Sequence, residues 1–99
     1  MPTLHEVDGH GGDFVLWESK AIMIYLAEKC QRNGHSIYPK CSKTRAIIHQ
    51  RLFHDASELY VRILDIANVA FSSANPVITV QIKENLRKAL QVLEVMIAF

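Results

Sequence analysis

The spacing of apolar residues changes along this chain, and each change predicts an element. Pro2-Thr3-Leu4-His5-Glu6-Val7 partly alternates and predicts a short strand. Asp8-Gly9-His10-Gly11-Gly12 follows as a turn, and Phe14-Val15-Leu16-Trp17 is β-prone, so the pair predicts a hairpin with a loose connection. From Lys20 the period becomes helical. Ala21, Ile22, Tyr25 and Leu26 form one stripe, with Ser19 at the N-cap or in the first turn and Asn33-Gly34 as the stop. A polar connection ends in Ile37-Tyr38-Pro39. Ser42 then caps a long helical pattern carrying Ile48, Leu52, Leu59, Ile63, Ile66 and Ala70, which runs out at Ser72-Ser73-Ala74. Asn75 and Pro76 open a second helix with the stripe Ile78, Ile82, Leu86, Leu90, Leu93 and Ile97. Two long helices joined by a short loop predict an antiparallel helical hairpin. Ile97-Ala98-Phe99 lies inside that apolar pattern with no stop signal, so more chain or a partner is expected there.

Composition narrows the classes of protein without naming one. At 49% hydrophobic and 21% charged residues the chain is globular rather than disordered, and 99 residues suit one small domain. A net charge of +1 supplies no field for nucleic acid or a membrane surface. The charge is uneven, however. Five acids and two bases occupy residues 1–30, against five acids and nine bases in 31–99, which predicts a change of domain near residue 31. The division expected is 1–32, a linker over 33–41, and 42–99. Cys30 and Cys41 form neither a disulfide framework nor a metal knuckle, and each is expected to be a thiol of no special reactivity. His49 and His54 point about 140° apart on a helix, and His5, His10 and His35 lack ligand spacing, so no metal is expected. With no signal peptide and no apolar run of transmembrane length, the chain reads as cytoplasmic.

Candidate chemistry concentrates where hairpin meets helix, in Trp17-Glu18-Ser19-Lys20-Ala21-Ile22. A helix N-terminus presents unpaired N–H groups and partial positive charge, which suits a carboxylate. Ser19 adds a hydroxyl, and the Glu18 carboxylate can accept from an ammonium group. Together these would meet the two ends of an α-amino acid. On spacing alone, a simple helix cap explains the same residues better.

Pro2-Thr3-Leu4 and Trp17-Glu18-Ser19-Lys20-Ala21-Ile22, followed by Tyr25-Leu26, Ile37-Tyr38-Pro39-Lys40, Arg45-Ala46 and Gln50-Arg51-Leu52-Phe53, occur in an order that resembles cytosolic glutathione S-transferases of the insect delta/epsilon kind. The likeness is close over residues 1–65 and one of pattern only over 66–99. It implies an α+β chain: the C-terminal half of a thioredoxin-like domain (β-hairpin plus helix), then a two-helix antiparallel hairpin from an all-α C-terminal domain. It implies conjugation of the glutathione thiolate to a small electrophile, with glutathione as co-substrate and no other cofactor, in a detoxifying homodimer.

Carried over by position, Glu18 and Ser19 would hold the γ-glutamyl end of glutathione, with Lys20 where the family commonly has arginine. Lysine keeps the charge but lacks the planar fork. A cis peptide between Met1 and Pro2 would align the cysteinyl backbone. Asp55 matches an acid that supports the glutamyl site, in an expected relationship with Lys20, and Tyr60 is the remaining aromatic candidate for the electrophile pocket. Phe53 and His54 fall where the family builds part of its dimer contact. The class's catalytic serine belongs to a segment preceding the matched part, so no catalytic residue is assigned. The alternative is a non-catalytic remnant that at most binds glutathione weakly or dimerises.

Overall fold

The computed structural model describes residues 1–31, 37–72 and 74–98. The chain divides into two compact units, Met1–Ile48 and His49–Phe99.

In the first unit, strands β1 (Thr3–Val7) and β2 (Asp13–Trp17) pair antiparallel, with Leu4 opposite Leu16 and Glu6 opposite Phe14. The turn is built around Asp8. Its Oδ1 accepts from the amides of Gly12 (2.7 Å) and His10 (3.3 Å). Gly11 sits at φ 88°, a conformation that favours glycine, and a Cβ on Gly12 would lie 2.9 Å from Asp8 Oδ2 and push that carboxylate aside. Helix α1 (Ser19–Lys29) lies against the hairpin, with Ala21, Ile22, Ile24, Tyr25 and Ala27 half-buried. Leu26, expected in that stripe, is instead 37% exposed. The helix ends at Cys30, whose N–H donates to the Leu26 carbonyl; the expected Asn33-Gly34 stop lies outside the described residues.

One polar cluster joins β1 to α1. Lys29 Nζ reaches both Glu6 oxygens at 2.6 Å, the Tyr25 hydroxyl donates to Glu6 Oε2 at 2.8 Å, and the Phe14 ring packs on Tyr25 with centroids 5.1 Å apart. Hydrogen bonds from Lys29 and then Tyr25 hold the Glu6 carboxyl below its ordinary value, while Glu6 raises Lys29 above its own. The Glu6 contribution to stability is therefore complete above the unfolded carboxyl value of 4.5 and disappears as pH falls through the lowered folded value. The Lys29 contribution holds below 10.5 and is lost as pH rises through the raised value. Trp17 fluorescence should thus show the first unit loosening below about pH 4.5, with Glu6→Gln flattening that acid limb; an unchanged limb in the variant would refute the assignment.

The linker is fixed by Tyr38, 5% exposed. The Arg45 guanidinium of α2 (Ser42–His54) lies 4.2 Å from its ring centroid, donates from Nε to the Pro39 carbonyl at 2.8 Å and pairs with Glu28 of α1 at 2.9 Å. Ser42 is the first helical residue rather than the cap, because the first α2 hydrogen bond runs from the Arg45 N–H to the Cys41 carbonyl.

In the second unit, the long helix expected over 42–72 is interrupted. Asp55–Leu59 form a π-helical turn, and α3 (Tyr60–Ser72) continues from it. Tyr60 N–H donates to the Asp55 carbonyl, and the Ser57 hydroxyl donates back to the Phe53 carbonyl at 2.8 Å. The wider turn inserts about one extra residue and rotates everything after it. That is why Ile63 is 48% exposed and Ala70 is exposed, whereas Leu59, Ile66 and Val69 are half-buried.

Helix α4 (Val80–Ala98) begins later than expected. Proline holds Asn75 out of helical geometry, and Thr79 provides the cap, its Oγ1 accepting from Ile82 N–H at 3.3 Å. The face used by α4 runs through Ile82, Leu86, Ala89, Leu93 and Met96, spaced four and three by turns. Leu90 (44% exposed) and Ile97 (66%) fall outside it. Ala89, the buried residue of α4, lets the helices approach closely, and His54 Nε2 lies 3.2 Å from its carbonyl. Arg51 donates to the Met96 carbonyl at 3.0 Å. Since 51 and 54 meet 96 and 89 in reverse order, the pair is antiparallel.

Candidate functional site

The α1 N-terminus departs from ordinary capping. Glu18 occupies the N-cap position at φ 75°, ψ 108°, with no side-chain cap hydrogen bond. Among the described non-glycine residues it alone has positive φ. Such a conformation costs about 1–3 kcal/mol and persists only where surrounding structure imposes it, as at ligand sites. The sequence carries no glycine or asparagine at this position to announce it.

The first helical hydrogen bond runs from Ile22 N–H to the Glu18 carbonyl at 3.0 Å. First-turn amides, Ser19 and Ala21 among them, precede that bond and have no acceptor inside the helix. Ser19 is the first helical residue and exposed, and its hydroxyl bonds to no described residue. The Glu18 carboxylate is likewise exposed and in no ion pair with a described residue. Neither side chain is consumed by the cap that spacing alone favours. Lys20 is half-buried beside them.

Thr3 opposite Trp17 is the last pair of the hairpin, which places Met1 and Pro2 at the same end as Glu18 and Ser19. Both are exposed. The Met1–Pro2 bond is trans, as are all described peptide bonds, which corrects the cis geometry expected there. The tertiary amide before a proline narrows the trans preference to roughly 0.5–1 kcal/mol without reversing it, so cis is adopted only where neighbours impose it. A groove of the first unit lies at the other end of the hairpin, lined by Glu6, Asp8, Asp13, Phe14 and Lys29, and it does not include Glu18 or Ser19.

Asp55 and Tyr60 belong to the second unit and are joined by the π-turn hydrogen bond, Asp55 half-buried and Tyr60 55% exposed. Insertions of this kind recur at functional sites. Nothing in the apolar spacing reveals the turn. Phe53 is 72% exposed, with its ring edge-on to His49, whereas His54 faces α4 instead of solvent.

Cys30 and Cys41 are exposed and unpaired by disulfide. Cys41 and Cys30 differ in their surroundings. Cys41 sits at the α2 N-cap, and hydrogen bonds from the Thr44 N–H, the Thr44 hydroxyl and the Lys43 N–H draw its thiol below the ordinary value. Iodoacetamide at neutral pH should therefore label Cys41 several-fold faster than Cys30, with Thr44→Val narrowing the gap; equal rates by peptide mass spectrometry would contradict this.

A β-hairpin, a helix with an open N-terminus beside it, and a following set of antiparallel helices define a thioredoxin-like segment joined to a helical domain, the arrangement found in part of a glutathione S-transferase. One solved structure similar to this chain is glutathione S-transferase 1-6 from Anopheles dirus species B, at 35% identity with a TM-score of 0.74. The match covers 95% of this chain and 42% of that one. No family model matches. Among the described residues, no helix is long and apolar enough to cross a membrane.

Proposed function

We propose that the first unit binds the γ-glutamyl end of glutathione, and that the chain is part of a cytosolic glutathione transferase that conjugates glutathione to electrophiles. The single observation carrying this reading is the strained Glu18 at an uncapped helix N-terminus, with the Ser19 hydroxyl unspent beside it. The glutamyl carboxylate would accept from Ser19 and the first-turn amides, while its ammonium would donate to Glu18. Lys20, Met1 and Pro2 flank that position, and Asp55 and Tyr60 are the supporting acid and the electrophile-side aromatic in the same reading. Retention on immobilised glutathione with elution by free glutathione tests the binding, and turnover of a chromogenic electrophile tests the chemistry. Failure to bind would overturn both.

The exposure of Glu18, Ser19, Met1 and Pro2 favours a second reading, in which this chain binds glutathione weakly without turning it over, or dimerises. Few walls surround the site, so binding depends on a small number of hydrogen bonds. Retention without turnover separates this reading from the first.

Self-association of a homodimeric kind would use the apolar surface at Phe53. Sedimentation velocity should show a concentration-dependent dimer that Phe53→Ser weakens; an unaltered distribution in the variant would remove Phe53 from the contact.

A further inference from the structure

The second unit contains a groove of about 340 Å³ between the rod formed by α2, the π turn and α3 and the facing helix α4. His54, Glu58 and Arg62 line one wall at successive four-residue steps. Asn85 and Lys88 line the other, above Ala89 and Val92. We propose that this groove binds a phosphate group, as the free ion or as the head of a monoester, on Arg62, Lys88 and Asn85.

Charge and donor geometry carry the proposal. Arg62 and Lys88 are fixed cations, and Glu58 is the one acid lining the groove. Glu58 does not neutralise Arg62 firmly. The guanidinium is divided between Glu58 and Asp65, each through a single contact of 3.4 Å, near the limit of a hydrogen bond. A guanidinium has five N–H donors, so the fork keeps donors for a better acceptor. Lys88 makes no ion pair with a described residue: Glu84, one turn earlier, is held by Arg87 at 2.6 Å and 2.8 Å. The Asn85 carbonyl accepts from Gln81 at 2.8 Å, which leaves the NH₂ group of this lining residue as a donor. His54 Nε2 meets the Ala89 carbonyl, an obligate acceptor, so Nε2 carries the hydrogen and this ring is held against α4.

Donors thus stand on two facing walls, with two cations and one carboxylate among the lining residues. A planar carboxylate would satisfy one wall. A tetrahedral anion offers acceptor oxygens to both. The groove is open, so binding in the millimolar range is expected, and the site is independent of the one at Glu18 and Ser19.

Equilibrium dialysis of the 99-residue chain against radiolabelled inorganic phosphate, at ionic strength held constant with sodium chloride, tests this. Saturable binding of one phosphate per chain is expected. Lys88→Gln, at an exposed residue with no described partner, should weaken it by about tenfold, the loss of one charge-assisted hydrogen bond, with helicity by circular dichroism unchanged. Arg62→Lys should weaken it although charge is conserved, whereas Lys83→Gln, on α4 outside the groove, should leave it unaltered. Non-saturating uptake, or equal losses in Lys88→Gln and Lys83→Gln, would overturn the proposal. Displacement by O-phosphoserine at matching concentration would assign the site to monoesters, and displacement by unlabelled phosphate alone to the free ion.

Discussion

Ser19→Ala is expected to abolish retention on immobilised glutathione while leaving the fold intact. A hydrogen bond from a neutral hydroxyl to a carboxylate contributes about 1.5–3 kcal/mol, so the dissociation constant should rise by roughly 10- to 150-fold. The stability of the chain should move by less than about 0.5 kcal/mol, because the Ser19 side chain makes no cap hydrogen bond and alanine is the better helix former. Had Ser19 served only to cap α1, the pattern would be reversed: a stability loss near 1 kcal/mol and no change in binding. The paired measurement therefore separates a ligand-holding serine from a structural one. Unaltered retention in Ser19→Ala would remove the hydroxyl from the site. Glu18→Gln supplies the companion result, weaker retention through loss of the partner for the ammonium group, with the backbone conformation at Glu18 open to test separately by Glu18→Gly.

The hairpin was legible because its evidence is local. Glycines 9, 11 and 12 between two β-prone runs specify a turn, and Leu4 and Leu16 then fall on one face. The helices were legible as elements, but their phase was not. Apolar residues in the second half occupy more than one face, so Leu90 and Ile97 fit the 3.6 period as well as Ala89 and Met96 do. What chooses between them is the close helix approach at Ala89, a tertiary fact. The π turn hides for a related reason: Asp55-Ala56-Ser57-Glu58-Leu59 is ordinary helical composition, and the insertion shows only in its hydrogen bonds.

At the candidate site, residue types pointed to Glu18 and Ser19, and the likeness to glutathione transferases supplied their roles. The positive φ of Glu18 was invisible, since glutamate carries no signature for that region. The hydrogen bonds that reach the Cys41 thiol were equally hidden, because they belong to the α2 N-cap and the sequence placed Ser42 at that position. Both features concern a single residue at a helix start, where a shift of one position changes which side chain meets the free amides.

Part of the likeness to glutathione transferases has no direct chemical role, and Tyr38 measures how much. Tyr38→Ala is expected to cost about 3 kcal/mol, the range for removing a buried aromatic side chain. The ring is the platform for the Arg45 guanidinium at 4.2 Å, and Arg45 in turn holds the Pro39 carbonyl and Glu28. Removing the ring therefore leaves Arg45 to lose its cation–π contact, worth about 0.5–2 kcal/mol, and loosens the path from α1 through the linker into α2. Urea unfolding followed by Trp17 fluorescence reads this in the same unit. Tyr38→Phe should cost the least of the substitutions at this position, because it keeps the ring face on which the Arg45 guanidinium lies. Tyr38→Leu should fall between the two, keeping apolar volume but losing the π face. If Tyr38→Leu matched Tyr38→Phe, the Arg45 stacking would contribute nothing, and the Ile37-Tyr38-Pro39 motif would owe its place in the fold to apolar volume alone.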